Sequence, residues 1–328
     1  MCEKDDVRKF GAVVTTVFFS LVVVFSVIGN VLVLVILIKY ENLKSMTNAF
    51  LFNLAVSDLI FTVGLPFWAY YDIYTWTFGA FGTEVCKVVS FIFDVGFYSS
   101  AIFLTTMTIH RYMAVVHPMT TMGSRRTLYC LLTSLTIWLA SCLLAVPAAI
   151  LKTAQSNQND NSLHCEYNHL EWKIVGAYMQ NGFFLVSFAI ISFCYIQILL
   201  RLLRPTSHTR HKTVRLIFII VVVFFLGWAP YNVAVFLRER CDRMLPPFDN
   251  CDVCKTVDYA HYVTRLVAFS HCCLNPVFYV FMGIKFRNHL KNLLRYCGGM
   301  TDVQRRHSRL IYSNASTLSR VTSFNEQL

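Results

Sequence analysis

The sequence predicts an all-α membrane protein built as a bundle of seven transmembrane helices. Three observations carry that expectation. Hydrophobic residues make up 56% of the 328-residue chain and charged residues only 14%, with a mean hydropathy of +0.52. A soluble domain carries about 25% charged residues. Apolar runs of about 20 residues, the length an α-helix needs to cross about 30 Å of hydrocarbon, recur between short polar breaks. The basic residues gather on alternate breaks.

The seven runs lie at about 11–38, 48–71, 84–110, 127–150, 173–203, 212–237 and 256–282. The first is too long for a cleaved signal peptide, and no small-residue cleavage site follows it. With the N-terminus placed outside, the inner breaks and the C-terminal tail hold 18 of the 29 Lys and Arg, among them Lys39, Arg125, Arg126, Arg210 and Lys285. Only Glu41, Asp302 and Glu326 oppose them, so the inner side is +15 and the outer breaks are −3. Cytoplasmic loops carry such an excess of Lys and Arg. The +11 total therefore expresses topology, and no nucleic-acid partner is expected. The chain divides into an outer N-terminus (1–10), a helical domain (11–297) and a Ser/Thr-rich inner tail (298–328).

The twelve cysteines sort by side of the membrane. Cys2, Cys86, Cys165, Cys241, Cys251 and Cys254 lie outside, where disulfides persist. Cys130, Cys142, Cys194, Cys272 and Cys273 lie in helices and read as small packing residues. Cys297 follows the last helix inside, a membrane-proximal position suited to palmitoylation. The CDVC run at 251–254 has zinc-like spacing, but one pair without a second favours disulfide chemistry over metal.

An ionisable side chain at the bilayer centre costs about 2.5–3.5 kcal/mol on insertion scales, so each one asks for a reason. Asp58 sits about 15 Å from the inner end of the second run. It reads either as a polar clasp between helices or as a cation site, with Ser100 and Asn275 as oxygen donors. Asn275-Pro276 and Trp228-Ala229-Pro230 interrupt the seventh and sixth runs, where proline removes a backbone bond and kinks the helix. The freed carbonyls must find other partners, and the two kinks are candidate hinges. Asp94 and Arg265 fall at a similar depth near the outer surface, in a layer with Trp68, Phe93, Tyr98 and Tyr231. They read either as a salt bridge across helices or as a ligand pocket of mixed charge. No G-x-S-x-G, H-E-x-x-H or phosphate-binding loop occurs and the ten histidines are scattered, so no enzyme is expected.

These residues stand in the order of a series of helix signatures: Gly29-Asn30, LAVSD ending at Asp58, Cys86, His110-Arg111-Tyr112, Trp138, Tyr195, Trp228-Ala229-Pro230, and NPVFY from Asn275 to Tyr279. Over residues 11–297 the chain resembles the rhodopsin-like (class A) G-protein-coupled receptors. Within them it is similar to chemokine receptors, through SHCCLNP (270–276), Trp68 two residues after Pro66, WTFG (76–79) and a second external cysteine pair. Finer features resemble the XC-type, lymphotactin-binding branch: His110 before Arg111, Ser187 where most class A members have proline, GWAP (227–230), Arg265 and RHKTVRLIF (210–218).

The resemblance implies a short amphipathic eighth helix from about Phe286-Arg287. It implies a plasma-membrane receptor with an extracellular N-terminus and a small basic, lymphotactin-like chemokine as ligand. That ligand would enter among Trp68, Phe93, Asp94, Tyr98, Tyr231 and Arg265, with Asp94 taking its cationic amino terminus and Arg265 an acidic group or Asp94 itself. Signalling would pass through a heterotrimeric G protein of the inhibitory class to calcium and chemotaxis, with Trp228, Pro230, Asn275, Pro276, Tyr279 and Arg111 rearranging. Receptor kinases and arrestin would act on the tail at serines and threonines such as Ser308, Ser313 and Thr317. A sodium ion at Asp58, Ser100 and Asn275 is the one cofactor expected. Bridges Cys86–Cys165 and Cys2–Cys251 follow from the resemblance, leaving Cys241 and Cys254 for a third.

Three departures shape these expectations. His110 stands where the family has an acid that restrains the arginine, so raised basal signalling or another restraint on Arg111 is expected. The ten-residue N-terminus has no tyrosine, where chemokine receptors usually carry a longer, acidic, tyrosine-bearing one. Gly64-Leu65-Pro66 replaces the usual Thr-x-Pro. The altered motif at His110 also fits a scavenging receptor that internalises chemokine without G-protein signalling. A transporter or retinal pump has less in its favour, because no inverted repeat is visible and the middle of the seventh run offers no lysine.

Overall fold

The computed structural model describes residues 5–43, 45–74, 81–117, 126–156, 163–202, 211–243, 248, 250–282 and 284–297. The chain forms two units, Met1–Met282 and Gly283–Leu328. In the first, α1 (Asp5–Tyr40), α2 (Met46–Tyr74), α3 (Gly82–Val116), α4 (Arg126–Leu151), α5 (Leu170–Leu202) and α6 (His211–Asp242) contain stretches long and apolar enough to cross a membrane. The seventh crossing is made by α7 (Cys251–Phe269) and α8 (His271–Met282) in succession. Helices adjacent in sequence pack side by side, except that α4 and α5 barely meet, and α3 also touches α5 and α6.

Apart from residue 203, which lies outside the described residues, the first six expected runs each lie in one helix, and the seventh spans α7 and α8. Among the described residues α1 starts at Asp5, and Val7 in its first turn is buried. The seventh run is divided at Ser270. There Ser270 Oγ donates to the Val267 carbonyl (2.7 Å), His271 Nδ1 lies 2.8 Å from the Ala268 carbonyl, and Cys272 Sγ donates to the Phe269 carbonyl (3.2 Å). Side chains that bond back to the preceding turn compete with the helix's own ladder, and the SHCC run does so at successive positions.

Two glycines set close approaches. A Cβ on Gly29 would lie 2.9 Å from Pro276 Cβ, so this glycine lets α1 reach the kink of α8. A Cβ on Gly96 would lie 2.5 Å from the Phe61 backbone nitrogen, at the contact of α3 with α2. The Pro276 ring leaves the Cys272 carbonyl without its helical partner. Asn30 Nδ2 donates to it at 2.8 Å and Ser26 Oγ at 3.4 Å. The freed carbonyl of the seventh crossing is thus satisfied from the first.

The outward faces carry rows of exposed apolar residues, such as Val13, Val17, Leu21, Phe25 and Ile28 on α1 and Leu128, Leu132, Leu135, Leu139 and Leu143 on α4. Such rows suit lipid as the surrounding solvent. One end of the bundle bears an antiparallel hairpin, β1 (Lys152–Ser156) and β2 (Leu163–Tyr167), in which Lys152 faces Tyr167 and Ala154 faces Cys165. A disulfide ties Cys165 to Cys86 at the start of α3, and a second joins Cys241 at the end of α6 to Cys254 in α7. In the loop-entropy account, a 13-residue closure is worth about 3 kcal/mol and a 79-residue closure about 4.5 kcal/mol. Cys251 is also disulfide-bonded, so both CDVC cysteines are in bridges and neither is free for zinc. The expected partner Cys2 lies outside the described residues, as does the 298–328 tail.

In the second unit, α9 (Ile284–Cys297) is the expected amphipathic helix. Phe286, Leu290 and Leu293 recur at helical spacing on one face and Arg287, Asn288 and Lys291 on the other.

Candidate functional site

Toward the hairpin end, α2, α3, α6 and α7 each contribute aromatic rings to one cluster. Phe93 lies 4.3 Å from Phe61, 5.0 Å from Phe269 and 6.0 Å from Trp68 between ring centroids. Tyr231 joins through Phe269 (5.6 Å) and Trp228 (5.5 Å). Tyr98 is buried against Phe97 (5.1 Å) and Phe183 (4.9 Å). Gly64, the departure noted in helix two, has a local reason: a Cβ there would come within 2.9 Å of the Phe93 ring. Phe269 links these groups, and nothing in the sequence distinguishes it from an ordinary lipid-facing or core phenylalanine.

The charges pair differently from expectation. Arg265 does not pair with Asp94. Its Nη2 donates to Asp72 Oδ2 and, at 3.0 Å, to Thr15 Oγ1. The guanidinium lies over Tyr262 (5.1 Å) and Phe19 (5.6 Å), and both members of the ion pair are nearly enclosed, at 10% and 6% side-chain exposure. The second run was expected to end at 71. The helix continues to Tyr74, which brings Asp72 inside, one turn beyond Trp68. Asp94 makes no ion pair among the described residues, and Lys152 at the start of β1 supplies the cation that acts on it. The Lys152 ammonium stands 5.8 Å from the Trp68 ring and 5.2 Å from the Tyr167 ring. Burial, and then the Asp94 carboxylate, push the Tyr167 phenol up, so it stays protonated. Lys152 is the cation whose field reaches Asp94, with no ion pair between them among the described residues.

Below this layer Trp228 is 1% exposed, with rings from several helices around it: Phe97 at 4.3 Å, His271 at 5.4 Å and Phe269 at 5.8 Å. Asp58 comes next and is fully enclosed. Ser100 Oγ donates to Asp58 Oδ1 at 3.0 Å and Asn275 Nδ2 donates to Oδ2 at 2.7 Å. His271 Nε2 lies 3.9 Å from Oδ1, a neighbour not foreseen from sequence. This clasp joins α2, α3 and α8, and the Ser26–Thr62 bond (2.6 Å) brings in α1. A lone buried carboxylate would be very costly. Two charge-assisted hydrogen bonds offset much of that cost.

At the opposite end, Arg111 Nη2 donates to Thr47 Oγ1 in α2 at 2.6 Å. His110 meets the edge of the Phe50 ring at 6.5 Å, and Tyr112 Oη lies 3.2 Å from His117 Nε2. This bond joins Arg111 of α3 to a neutral hydroxyl of α2. Trp138 Nε1 donates to Asn53 Oδ1 at 2.9 Å, which fixes α4 on α2. The Pro230 and Pro276 backbones lie within α6 and α8 as expected. The Tyr279 side chain lies outside the described residues.

Comparison with known proteins agrees with this geometry. Residues 29–279 match the family described as 7 transmembrane receptor (rhodopsin family). The chain is 44% identical to human chemokine XC receptor 1, over 87% of this chain and 83% of that one. It is 45% identical to mouse chemokine XC receptor 1, over 90% and 87%. Human C-C chemokine receptor type 4 is 36% identical, over 91% and 82%. The relatives are receptors and not enzymes. With residues 29–279 matching that family and identity spread over 87–91% of its length, the chain belongs to the rhodopsin family of seven-transmembrane receptors, among its chemokine receptors.

Proposed function

We propose that this protein is a plasma-membrane receptor for a small basic chemokine of the lymphotactin type, with the hairpin end outside. One observation carries the reading: identity of 44–45% to the XC receptors of two mammals against 36% to a C-C receptor, over similar spans. The basic inner breaks support the orientation. In this reading Asp94 receives the cationic amino terminus of the ligand. Arg265 is already neutralised by Asp72, so an acidic group of the ligand goes to Lys152 instead. Binding shifts the Trp228–Pro230 segment and frees Arg111 from Thr47 to meet an inhibitory-class heterotrimeric G protein, leading to calcium release and chemotaxis. Receptor kinases and arrestin then act on the Ser/Thr-rich tail.

Asp58, Ser100 and Asn275 supply a carboxylate, a hydroxyl and an amide, oxygen ligands suited to a hard monovalent cation. A sodium ion there needs the Asn275 amide turned over to present its oxygen, and amide orientation is a matter of the surrounding hydrogen bonds. Its effect would be to hold α2, α3 and α8 together.

The test is cyclic-AMP inhibition in cells expressing the chain, with and without a lymphotactin-like chemokine and pertussis toxin. A toxin-sensitive, ligand-dependent fall is expected. Binding and uptake of the chemokine without that fall would favour the scavenging reading, for which the histidine at 110 is the specific observation.

A further inference from the structure

The CDVC run takes no part in the ligand site, yet two disulfide bridges meet on it. Cys251 and Cys254 lie in the first turn of α7, and both are disulfide-bonded. Cys254 is joined to Cys241 at the end of α6, while the expected partner of Cys251 lies outside the described residues. Two cysteines three residues apart in a helix share one face. Their Cα atoms are about 5 Å apart by helix geometry, within the roughly 4.4–6.8 Å that a bridge spans. A third pairing, Cys251 with Cys254, is therefore within reach of the helix as it stands.

The three sulfurs differ in access. Cys241 and Cys254 are 9% and 8% exposed, packed with Val257 against Leu237 and Phe248. Cys251 is only half-buried. A thiol in solution meets the Cys251 bridge first, because exchange depends on access to the sulfur attacked. The buried bridge is then reached from inside the protein, by Cys251 itself. Cys251 is also the first residue of α7, after the N-cap Asn250. A helix N-terminus stabilises a thiolate, so a sulfur released at that position persists in its nucleophilic form.

We propose that the first turn of α7 is a thiol–disulfide exchange site, at which a dithiol outside the cell converts these two bridges into one local Cys251–Cys254 bridge. One thiolate of the dithiol attacks the sulfur bonded to Cys251, and Cys251 leaves as a thiolate. Cys251 then attacks the Cys254 sulfur. The Cys251–Cys254 bond forms, the Cys241–Cys254 bond breaks, and Cys241 leaves as a thiolate that takes up a proton. The second thiol of the reagent resolves the mixed disulfide and frees the former partner of Cys251 as a thiol. The dithiol is oxidised to its disulfide, and the receptor has one bridge fewer and two thiols more. α6 and α7 then lose their covalent tie and keep the Arg238–Asp258 ion pair (3.1 Å) and the packing of Leu237. The exchange requires this end to face outward and is independent of the identity of the ligand.

The experiment incubates the full-length receptor in phosphatidylcholine nanodiscs with a reduced thioredoxin-type dithiol protein. The reaction is quenched with N-ethylmaleimide and the receptor is digested with trypsin without reduction. Trypsin separates Cys241, on residues 241–243, from the peptide 244–255 that carries Cys251 and Cys254. An internally bridged, unalkylated 244–255 peptide is expected at early times, accumulating in step with alkylated Cys241. Cys251→Ser removes the relay and should slow alkylation of Cys241 about tenfold. If that variant folds poorly, the order of events in the wild type decides, since alkylated Cys241 must never run ahead of the internally bridged peptide. Alkylated Cys251 beside an intact Cys241–Cys254 bridge, alkylation of Cys241 and Cys254 together, equal rates in wild type and Cys251→Ser, or no reaction would each overturn the exchange.

Discussion

Asp94 and Arg265 both drew attention as charges inside helices, yet the fold treats them in opposite ways. Arg265 is enclosed with Asp72 and Thr15, and removing one member of a buried pair leaves the other uncompensated. Asp72→Asn and Arg265→Gln are each expected to lose about 3–5 kcal/mol of stability, read as a lower melting temperature and lower surface expression. The double variant should recover most of that loss. Asp94 lacks an ion-pair partner among the described residues, so Asp94→Asn should melt as the wild type does while weakening chemokine potency by about tenfold, or 1.4 kcal/mol. Destabilised Asp94→Asn and Arg265→Gln beside a normally stable Asp72→Asn would reinstate the Asp94–Arg265 pairing. The two residues were legible in the sequence because charge is rare in an apolar run. The carboxylate that Arg265 meets was not, because Asp72 falls one residue beyond the expected hydrophobic boundary and looks like an ordinary loop charge.

At the level of elements, the proline at 276 and the altered motif at His110 each meet side chains of a neighbouring helix. α1 completes the hydrogen bonding of α8 through Asn30 and the Cys272 carbonyl. Asn30→Ala should cost about 1–3 kcal/mol, the penalty for a buried acceptor left with poorer partners, measured by thermal unfolding of the purified receptor. α2 compensates α3 in the same way, since Thr47 accepts from Arg111 where the preceding residue is a histidine. Thr47→Val keeps the shape and removes the acceptor, and should raise basal G-protein activity two- to threefold at about equal expression, a fraction of a kcal/mol. Thr47→Ser should leave it low. Equal basal activity in wild type and Thr47→Val would show that Thr47 is no restraint. The kinks themselves were plain from Asn275-Pro276 and Trp228-Ala229-Pro230. The break at Ser270 was not, because the SHCC side chains compete with the helix only once their carbonyl partners are positioned by the folded turn.

Over the whole molecule, the seven crossings and the Cys86–Cys165 bridge could be expected from apolar period, charge asymmetry and motif order. The path between the two ends depends on which rings meet, and that is set by packing alone. Trp228 stands where rings from α2, α3, α7 and α8 meet. Above it, Phe269 touches both Trp228 and Phe93 of the aromatic cluster, and Tyr231 touches both Trp228 and Phe269. Beside it stand Phe97 of α3 and Phe61 of α2, and His271 of α8 leads to the Asp58 clasp. A movement of α6 must break or remake these contacts together, which is how a small shift at one end becomes a discrete change at the other. Trp228→Leu removes the shared ring and leaves Asp94, Lys152 and Trp68 in place. Chemokine affinity should therefore stay within about threefold, or 0.7 kcal/mol, while the maximal fall in cyclic AMP drops below about a tenth of the wild-type response. Both are to be measured in the same cells at matched surface expression. Parallel loss of binding and response would make Trp228 a packing residue of the ligand site, and full response would mean that the two ends communicate by another route.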